Sequence, residues 1–399
     1  MIYVGIDVAS EKHDCAILDQ SGKELCGVFV FENNRQGFEF LVSRLSYFSE
    51  CIEFSDIQIG LESTGHYSNN LVNFLYEKRL CVKVFNPLTV QRLRKAQTLR
   101  RTKTDKTDAK FLAYMLYGDN SKPYEKSVSQ TEELKTLTRH RFRLVKEISK
   151  HKQHISRLIT LAFPEIKTIF CNTSLVTVRK LLMQFPSATS IAKADIRSLT
   201  NILWDASKHR FGRDKAEQLR NLARTSIGTS NRGTCFELQQ HLQAVNFLKQ
   251  QLKALDAQIK EIMDEIGSPL LTIPGISYTL GAMILSEIGD IKNFANPARL
   301  LAYAGLDPSC YQSGKFNADR TPMVKHGSSY LRYAMIQAAM CVSRNAPEFE
   351  AYLAKKRAEN KHYFVATSHA AKKLTRVIFS LLKYDMVYEA QNSAQTIAA

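Results

Sequence analysis

The sequence lacks the features that mark disulfide-rich, zinc-binding and membrane-spanning proteins. Its eight cysteines include no CxxC pair, so neither a zinc site nor a disulfide framework is expected. No apolar stretch approaches about 18 residues without a charge, so no membrane span is expected. The N-terminus, MIYVGIDVAS, has no basic segment followed by a long apolar run, so no signal peptide is expected. These absences predict an intracellular protein whose thiols stay reduced.

Acidic residues are scarce relative to basic ones. The 399 residues include 55 Lys and Arg but only 38 Asp and Glu, which gives a formal net charge of +17. Such an excess predicts a polyanionic partner, either nucleic acid or an anionic membrane surface. A generally solvated basic surface is the alternative, but the charge is clustered at 92–110, 139–157 and 208–224. With no membrane segment expected, this clustering favours nucleic acid.

Residues 1–122 carry the pattern of a mixed sheet with helices on its faces, an α/β domain. Short apolar strands are predicted at 2–8, 14–19, 25–31, 57–62 and 81–85. Helical periodicity covers 35–48 and 66–79, and two further helices are predicted to begin at Pro87 and near Asp105. The predicted order is βββ-α-β-α-β-α.

The middle of the chain, 123–268, is predicted to form a long helical arm. Heptad stripes over 130–163 and 238–266 predict two long helices, which pair as a coiled coil or each pair with a second copy. Between them, 165–235 is predicted to be a mostly helical insert.

The C-terminal region, 269–389, is predicted to be an all-α domain followed by a disordered tail at 390–399. It opens with LLTIPGISYTLGAMILSEIGD, which resembles a helix-hairpin-helix whose glycine-containing turn can approach a phosphate. An ordinary helical hairpin is the alternative interpretation.

Four acidic residues lie where predicted elements begin or end. Asp7 ends the first strand, and Glu62 ends the strand IQIGLE. In open sheets covered by helices, functional sites gather at such strand ends. Asp105 and Asp108, three residues apart, share one face at the start of a helix. If the first and fourth strands are neighbours, the four carboxylates converge.

Such a cluster of carboxylates would require a cation. Two carboxylates about 4 Å apart repel by roughly 4 kcal/mol at an effective dielectric constant near 20. Oxygen ligands without His or Cys favour Mg²⁺ or Mn²⁺. A simpler interpretation makes Glu62, Asp105 and Asp108 helix-capping residues. Asp7 fits that interpretation less well, because a charge within an apolar strand is costly without a partner.

Several separated motifs resemble one family of DNA-rearranging enzymes. IDVASEKHD, LESTGHY, an NP dipeptide before a basic helix, and KTDKTDA resemble the DEDD domain of the insertion-sequence one-ten family of transposases, to which the Piv DNA invertase is related. TIPGI, LLAYAGLDPS, QSGK and KHGSSYLRYAMIQAA resemble the C-terminal part of the same family. The resemblance is weak over the insert at 165–235.

The resemblance implies a ribonuclease-H-like fold for the N-terminal domain, similar to that of Holliday-junction resolvases. It makes four residues both catalytic and metal-binding: Asp7, Glu62, Asp105 and Asp108. The family's nucleophilic serine precedes a glycine and corresponds to Ser313. Members commonly have Ser-Ser-Gly where this chain has Gln312-Ser313-Gly314, and the nearby alternatives are Ser309, Ser328 and Ser329.

The resemblance also implies partners. These are donor and target DNA, a structured bridge RNA that guides recombination, and further copies of the chain, with a tetramer favoured over a dimer. In such an oligomer the serine of one subunit completes the acidic site of another, and the protein acts in the cytoplasm at the bacterial nucleoid. The residues predicted to contact nucleic acid are Arg92, Arg94, Lys95, Arg100, Arg101, Lys103, Lys106, Lys315, Arg320, Lys325 and Arg332.

Three functions remain open from the sequence. The first is a transposase-type recombinase in which Ser313 attacks a DNA phosphodiester with assistance from Mg²⁺. The second is a metal-dependent nuclease similar to a junction resolvase, in which the acids activate water and Ser313 is structural. The third is a non-catalytic nucleic-acid-binding assembly protein, which would require the four acids to be only helix caps.

Overall fold

The structure is a computed structural model in two compact units, Met1–Ser127 and Val128–Ala399, called here the N-terminal and C-terminal units. It describes residues 1–48, 56–63, 65–97, 104–119, 123–124, 129–173, 175–229, 231–309, 312–313, 316–317 and 321–390. Among the helices in these ranges, none is long and apolar enough to cross a membrane. The predicted tail lies outside the described residues, apart from residue 390, and the predicted domain boundaries stay predictions.

The N-terminal unit is built on a five-stranded mixed sheet. Its strands lie in the spatial order β3-β2-β1-β4-β5. The first three are antiparallel neighbours, whereas β1, β4 and β5 run parallel. The predicted α/β class is confirmed, and the arrangement is consistent with a ribonuclease-H-like fold. The strand bounds are β1 (Ile2–Val8), β2 (Lys12–Leu18), β3 (Phe29–Glu32), β4 (Ile57–Glu62) and β5 (Cys81–Phe85).

Two strands were predicted to begin at the wrong residue. β2 begins at Lys12, two residues earlier than predicted, because its pairing with β1 already includes His13. β3 begins at Phe29 instead of residue 25. The preceding segment makes only an isolated bridge to β2 through Glu24, so it does not continue the ladder.

Successive side chains of β1 point to opposite faces of the sheet, and the two faces differ in their residues. Ile2, Val4, Ile6 and Val8 are buried on one face, in a core shared with α1 (Arg35–Phe48) and α2 (Ser68–Glu77). That core also contains the alternate apolar residues of β4, which are Ile57, Ile59 and Leu61. The opposite face therefore carries the remaining residues of β1, including Asp7.

The helix α4 (Asp105–Met115) covers this second face, after α3 (Pro87–Gln97). A β-carbon on Gly5 would lie 2.0 Å from the carbonyl oxygen of Ala109, so only glycine lets the helix lie directly on β1. Nearer the start of β1, the Tyr3 ring stacks on Tyr117, just beyond α4, with centroids 4.2 Å apart. The helix therefore runs antiparallel to β1, and its N-terminus lies at the carboxyl end of that strand.

Two long helices, α5 (Ser129–Ala162) and α11 (Arg232–Ile266), pack along each other in the C-terminal unit. Their predicted apolar stripes are buried or partly buried. Arg141, which interrupts the stripe of α5, pairs with Asp256 of α11 at 2.6 Å. The helices therefore pair within one chain, and α11 ends at Gly267, which adopts the left-handed conformation. The supercoil of a coiled coil stays a prediction.

The insert between these helices is helical, as predicted. Its buried residues form one core with the adjoining half of the long helices, in which Phe163, Phe170, Leu199 and Leu219 are fully buried. The helices of the insert are α6 (Ile166–Ile169), α7 (Val176–Gln184), α8 (Ala188–Lys193), α9 (Ile196–Ala206) and α10 (Arg213–Arg224).

The C-terminal helices form a further core against the start of α5. Between α13 and α14 lies a small two-stranded ribbon, formed by β6 and β7. The elements are α12 (Tyr278–Ile288), α13 (Pro297–Tyr303), β6 (Gln312–Ser313), β7 (Phe316–Asn317), α14 (Ser329–Asn345), α15 (Pro347–Ala358) and α16 (Tyr363–Tyr384).

The segment predicted as a helix-hairpin-helix begins with a single 3-10 turn, Pro269–Thr272, and ends in α12. Gly275, in the turn between them, has φ +94°, and a β-carbon there would lie 2.8 Å from the Cys341 carbonyl oxygen. Packing against α14 is therefore sufficient to explain this glycine. Phosphate binding by the turn stays a prediction.

Candidate active site

The acids Asp7 and Glu62 lie side by side at the carboxyl ends of neighbouring parallel strands. Ile6 of β1 pairs with Leu61 of β4, and the next residue on each strand is the predicted acid. Both acids alternate with the buried apolar residues, so both are on the face that α4 covers. Since the first and fourth strands are neighbours, the condition for convergence of the four carboxylates is met.

A fifth carboxylate, Asp14, belongs to the same place. Asp14 of β2 lies directly opposite Asp7 in the antiparallel ladder, so the two side chains share a face. It is buried, and burial raises the pKa of its carboxyl above the ordinary value; the negative charge of Asp105 raises this pKa further. Asp14 was missed from the sequence, because β2 was predicted to begin at this residue and its register against β1 was not predicted.

The N-terminus of α4 brings in the last two predicted acids. Thr104 caps the helix by accepting a hydrogen bond from the Thr107 N–H, and the Thr107 hydroxyl accepts one from the Thr104 N–H. Asp105, the first helical residue, is exposed, whereas Asp108 is buried. Acids in this first turn are also favoured by the positive end of the helix dipole.

An arginine predicted to contact nucleic acid is engaged at this site. The Arg94 guanidinium of α3 lies 2.9 Å from Asp108 Oδ1 and covers the Phe111 ring at 5.4 Å. This pair partly neutralises Asp108, and it fixes α3 against α4. The pKa of Asp14 is raised by its burial and, to a smaller extent, by the negative charge of Asp105.

These residues fit a divalent cation by their chemistry. They offer carboxylate oxygens from two strand ends and one helix start, the ligand type that Mg²⁺ and Mn²⁺ prefer. The site is not fully compact, because no three of these five acids bring oxygen atoms within 4.8 Å of one another. Side-chain rotation about fixed backbone positions would be needed to gather them on one ion.

The structure gives a separate structural role to one of the alternative serines, Ser328. Ser328 caps α14 by accepting from the Leu331 N–H, and its hydroxyl donates to Glu287 Oε2 at 2.7 Å. The Ser309 hydroxyl is buried, with no hydrogen-bond partner among the described residues. Ser329 is the first residue of α14. Ser313 lies in β6, but its side chain and the following Gly314 lie outside the described part of the chain.

Apart from Arg94, the predicted nucleic-acid contacts divide into three groups. Arg92, Lys95 and Lys106 are exposed in the N-terminal unit, and Lys325 is exposed in the C-terminal unit. Arg332 donates from Nη1 to the Lys325 carbonyl oxygen at 3.1 Å, so it also supports the loop before α14. The rest lie outside the described residues: Arg100, Arg101, Lys103, Lys315 and Arg320.

A buried ion pair in the C-terminal unit was not foreseen. Glu287 of α12 is fully buried, and Arg139 of α5 donates to its two oxygens, Nε at 2.6 Å and Nη2 at 3.1 Å. The hydrogen bond to Glu287 raises the pKa of Arg139, whereas burial lowers the pKa of the neighbouring Lys135. With Ser328, the N-cap of α14, as its second partner, Glu287 joins α5, α12 and α14. An acid at a core position of an apolar helix was the available sequence signal.

Comparisons with known proteins agree with this architecture. Residues 4–164 match the DEDD domain of IS110 transposases, and residues 267–354 match the transposase IS116/IS110/IS902 family. The first match includes all five acids described above.

Individual relatives align over nearly the whole chain. The uncharacterized 44.8 kDa protein of insertion element IS116 from Streptomyces clavuligerus is 24% identical over 397 residues, which cover 96% of this chain and 94% of the relative. The pilin gene-inverting protein of Moraxella bovis is 25% identical over 360 residues, 90% of this chain and 88% of the relative. The chain therefore belongs to the insertion-sequence one-ten (IS110) family of transposases, enzymes that act on DNA.

Proposed function

We propose that this protein is a DNA transposase that cleaves and rejoins the DNA of a mobile insertion sequence. One observation carries the proposal: Asp7 and Glu62 are adjacent at the ends of parallel strands, and the capped N-terminus of α4 lies at that same end. Asp105 and Asp108 can be explained as acids that stabilise a helix start, but acids at the adjacent ends of two parallel strands cannot. The non-catalytic assembly protein is disfavoured for this reason.

The proposed metal-binding residues are Asp7, Glu62, Asp105 and Asp108, with Mg²⁺ or Mn²⁺ as the ion. A divalent ion there would supply positive charge to a phosphodiester and to its leaving oxygen. The acids position the ion at the strand ends, and Arg94 holds Asp108 in place. Asp14 is added to this set because it lies on the same face of the sheet as Asp7 and because the charge of Asp105 raises its pKa.

Ser313 is the proposed nucleophile. Its oxygen forms a bond to phosphorus while the bond from phosphorus to one bridging oxygen of the DNA breaks, and the released strand end takes up a proton. Attack by a new strand end on the phosphoserine reverses this exchange and frees the serine. The structural roles of Ser328 and the burial of the Ser309 hydroxyl support this choice among the neighbouring serines.

The proposed partners are donor DNA, target DNA, a structured bridge RNA and further copies of this chain. The formal charge of +17 and the exposed Arg92, Lys95 and Lys106 suit binding to phosphate backbones. Guidance by RNA and completion of the acidic site by another subunit's serine follow from the family resemblance.

A covalent-adduct experiment tests the proposal. Purified protein is incubated with labelled element DNA and Mg²⁺, quenched in denaturant, and analysed for DNA attached to protein. We expect an adduct with wild type and with Ser309→Ala, and none with Ser313→Ala. Recombination by Ser313→Ala would overturn the serine assignment.

The acids are tested in the same assay. We expect Asp7→Asn and Glu62→Gln to abolish both adduct formation and recombination, because either change removes a charged metal ligand. Full activity of either variant with Mg²⁺ present would contradict the metal site. Metal-dependent cleavage that never yields an adduct, and that survives Ser313→Ala, would instead support the junction-resolvase-like nuclease.

A further inference from the structure

A group of histidines lies between α5 and α11, in the C-terminal unit and apart from the acids of the sheet. His151 and His154 are three residues apart on α5, and Glu237 and His241 are four residues apart on α11. Each pair therefore occupies one face of its helix. The nearest available ligand atoms of His154, Glu237 and His241 all lie within 4.8 Å of one another.

The hydrogen bonds of His241 leave one of its nitrogens suited to a metal. Its Nδ1 lies 2.8 Å from His151 Nδ1, a hydrogen-bonding distance. Its Nε2 lies 3.7 Å from Glu237 Oε1, which is too long for a hydrogen bond. If Nδ1–H donates to His151, the Nε2 lone pair is directed towards a carboxylate. A histidine that ligates a metal through one nitrogen and donates from the other has this arrangement.

The carboxylate is also oriented. Arg157 of α5 donates from Nη2 to Glu237 Oε1 at 2.7 Å. A carboxylate has about four acceptor positions, so it can accept from Arg157 and still bind a cation. Buried Ile155, Leu158 and Leu238 lie beside the group and fix the spacing of the helices. Closing the group onto an ion would require side-chain rotation and no separation of α5 from α11.

We propose that α5 and α11 bind one Zn²⁺ ion through His154, Glu237 and His241, with His151 as the hydrogen-bond partner that orients His241. Two imidazole nitrogens and a carboxylate oxygen are a ligand set that zinc accepts, with one tetrahedral position left for water. Mg²⁺ prefers oxygen ligands and does not suit this site. The ion fastens the long helices together next to the insert.

The proposed site differs from the expectation from the sequence, which was that the chain has no zinc site because it has no CxxC pair. The proposed ligands are instead histidines and a glutamate, in two short-spaced pairs from distant parts of the chain. Each pair is unremarkable by itself, and only the antiparallel packing of α5 and α11 brings them together.

Zinc binding by the full-length protein provides the test. Metal is removed with a chelator, and the protein is titrated with ZnSO₄ by calorimetry in excess Mg²⁺, so that Mg²⁺ competes for the acids of the sheet. We expect one Zn²⁺ per chain, and affinity more than about tenfold weaker in His154→Gln and His241→Gln. His140→Gln is the matched control, because His140 is exposed on α5 outside the group. Unchanged affinity in His154→Gln, or no zinc binding by wild type, overturns the proposal.

A second pair of variants separates a metal ligand from an ion pair. Arg157→Gln and Glu237→Gln both remove the ion pair, but only Glu237→Gln removes a proposed ligand. We expect zinc to raise the melting temperature of wild type and Arg157→Gln, and to have little effect on Glu237→Gln. Equal zinc responses in the two variants would show that Glu237 is only an ion-pair partner.

Substitution of Co²⁺ for Zn²⁺ tests the coordination geometry. Tetrahedral coordination should give intense visible absorption, and a weak octahedral spectrum would contradict the site.

Discussion

Glu287 is a buried acid whose negative charge is compensated by hydrogen-bond donors around it. It is fully buried, and Arg139 and Ser328 both donate to it. Removing one partner of a buried ion pair leaves the other charge uncompensated, which costs about 3–5 kcal/mol. We expect Glu287→Ala to lower the urea unfolding midpoint of the C-terminal unit accordingly. The control is Glu217→Ala, which breaks the exposed pair with Arg213 and should cost at most about 1 kcal/mol. Similar losses in the two variants would contradict this account.

His13 makes the stability of the N-terminal unit depend on pH. Its side chain is fully buried against Phe31 and Phe38, and burial lowers its pKa below the ordinary value of 6.5. Because the unfolded chain binds a proton more readily, stability is fully present above about pH 6.5 and falls as pH drops towards the folded pKa. We expect the melting temperature of wild type to fall between pH 7 and pH 5.

The variant His13→Leu removes the titrating group. It should lose some stability at every pH, because the ring nitrogen that accepts from the Ala9 N–H is lost. Its melting temperature should nevertheless change less than that of wild type between the two pH values. An equal or larger change would assign the pH dependence to other groups. The measurements are made in a chelator, so that metal binding does not contribute.

At the scale of one element, the cap of α4 couples helix stability to the acidic site. The Thr104 side chain satisfies the Thr107 N–H at the helix start, and loss of such a cap costs about 1 kcal/mol. We expect Thr104→Ala to fray the first turn, which holds Asp105 and Asp108, and to weaken Mg²⁺ binding measured by calorimetry.

The fold supplies a matched control for that change. Ser187 caps α8 with the same reciprocal hydrogen bonds, to Ser190. Ser187→Ala should therefore lower stability by a similar amount while leaving Mg²⁺ affinity unchanged. If both variants bind Mg²⁺ equally well, the first turn of α4 does not contribute to the metal site.

The elements of the N-terminal sheet were predictable because each apolar run is complete within a few residues. IYVGIDV and IQIGLE have the length of strands and the alternation of apolar residues that is typical of them. The acid at or near the end of each can therefore be identified from the sequence alone. Asp14 could not be identified in the same way. Its place depends on the register of β1 against β2, and an error of two residues at the start of β2 was enough to hide it.

The histidine group between the long helices was hidden for a related reason. Heptad stripes predicted α5 and α11 well, because burial follows the apolar residues. The stripes do not specify which polar residues of one helix meet those of the other. To know which polar residues meet, one must know how far α5 is shifted along α11. The two helices are separated in sequence by the whole insert, so no local sequence pattern specifies this shift.

At the scale of the whole molecule, the charge of +17 predicts a strong dependence of DNA binding on salt. A protein contacting 6–10 phosphates loses about 10³–10⁵ in affinity between about 50 and 200 mM salt. We expect Lys95→Ala to reduce the slope of log affinity against log salt by about one. Arg35→Ala is the control, because Arg35 pairs with Glu39 at 2.9 Å. Equal slopes for wild type and Lys95→Ala would remove Lys95 from the interface.

The pairing of α5 with α11 has a consequence for distance. One end of the pair packs on α12, and the other end is part of the core of the insert. A straight helix of 34 residues measures about 50 Å. Duplex DNA completes a turn in about 34–36 Å, so the pair is as long as about one and a half turns. A duplex lying along these helices would present opposite sides to the insert and to the C-terminal helices. The length of the helix pair would therefore determine which sides of the duplex these two parts of the protein contact.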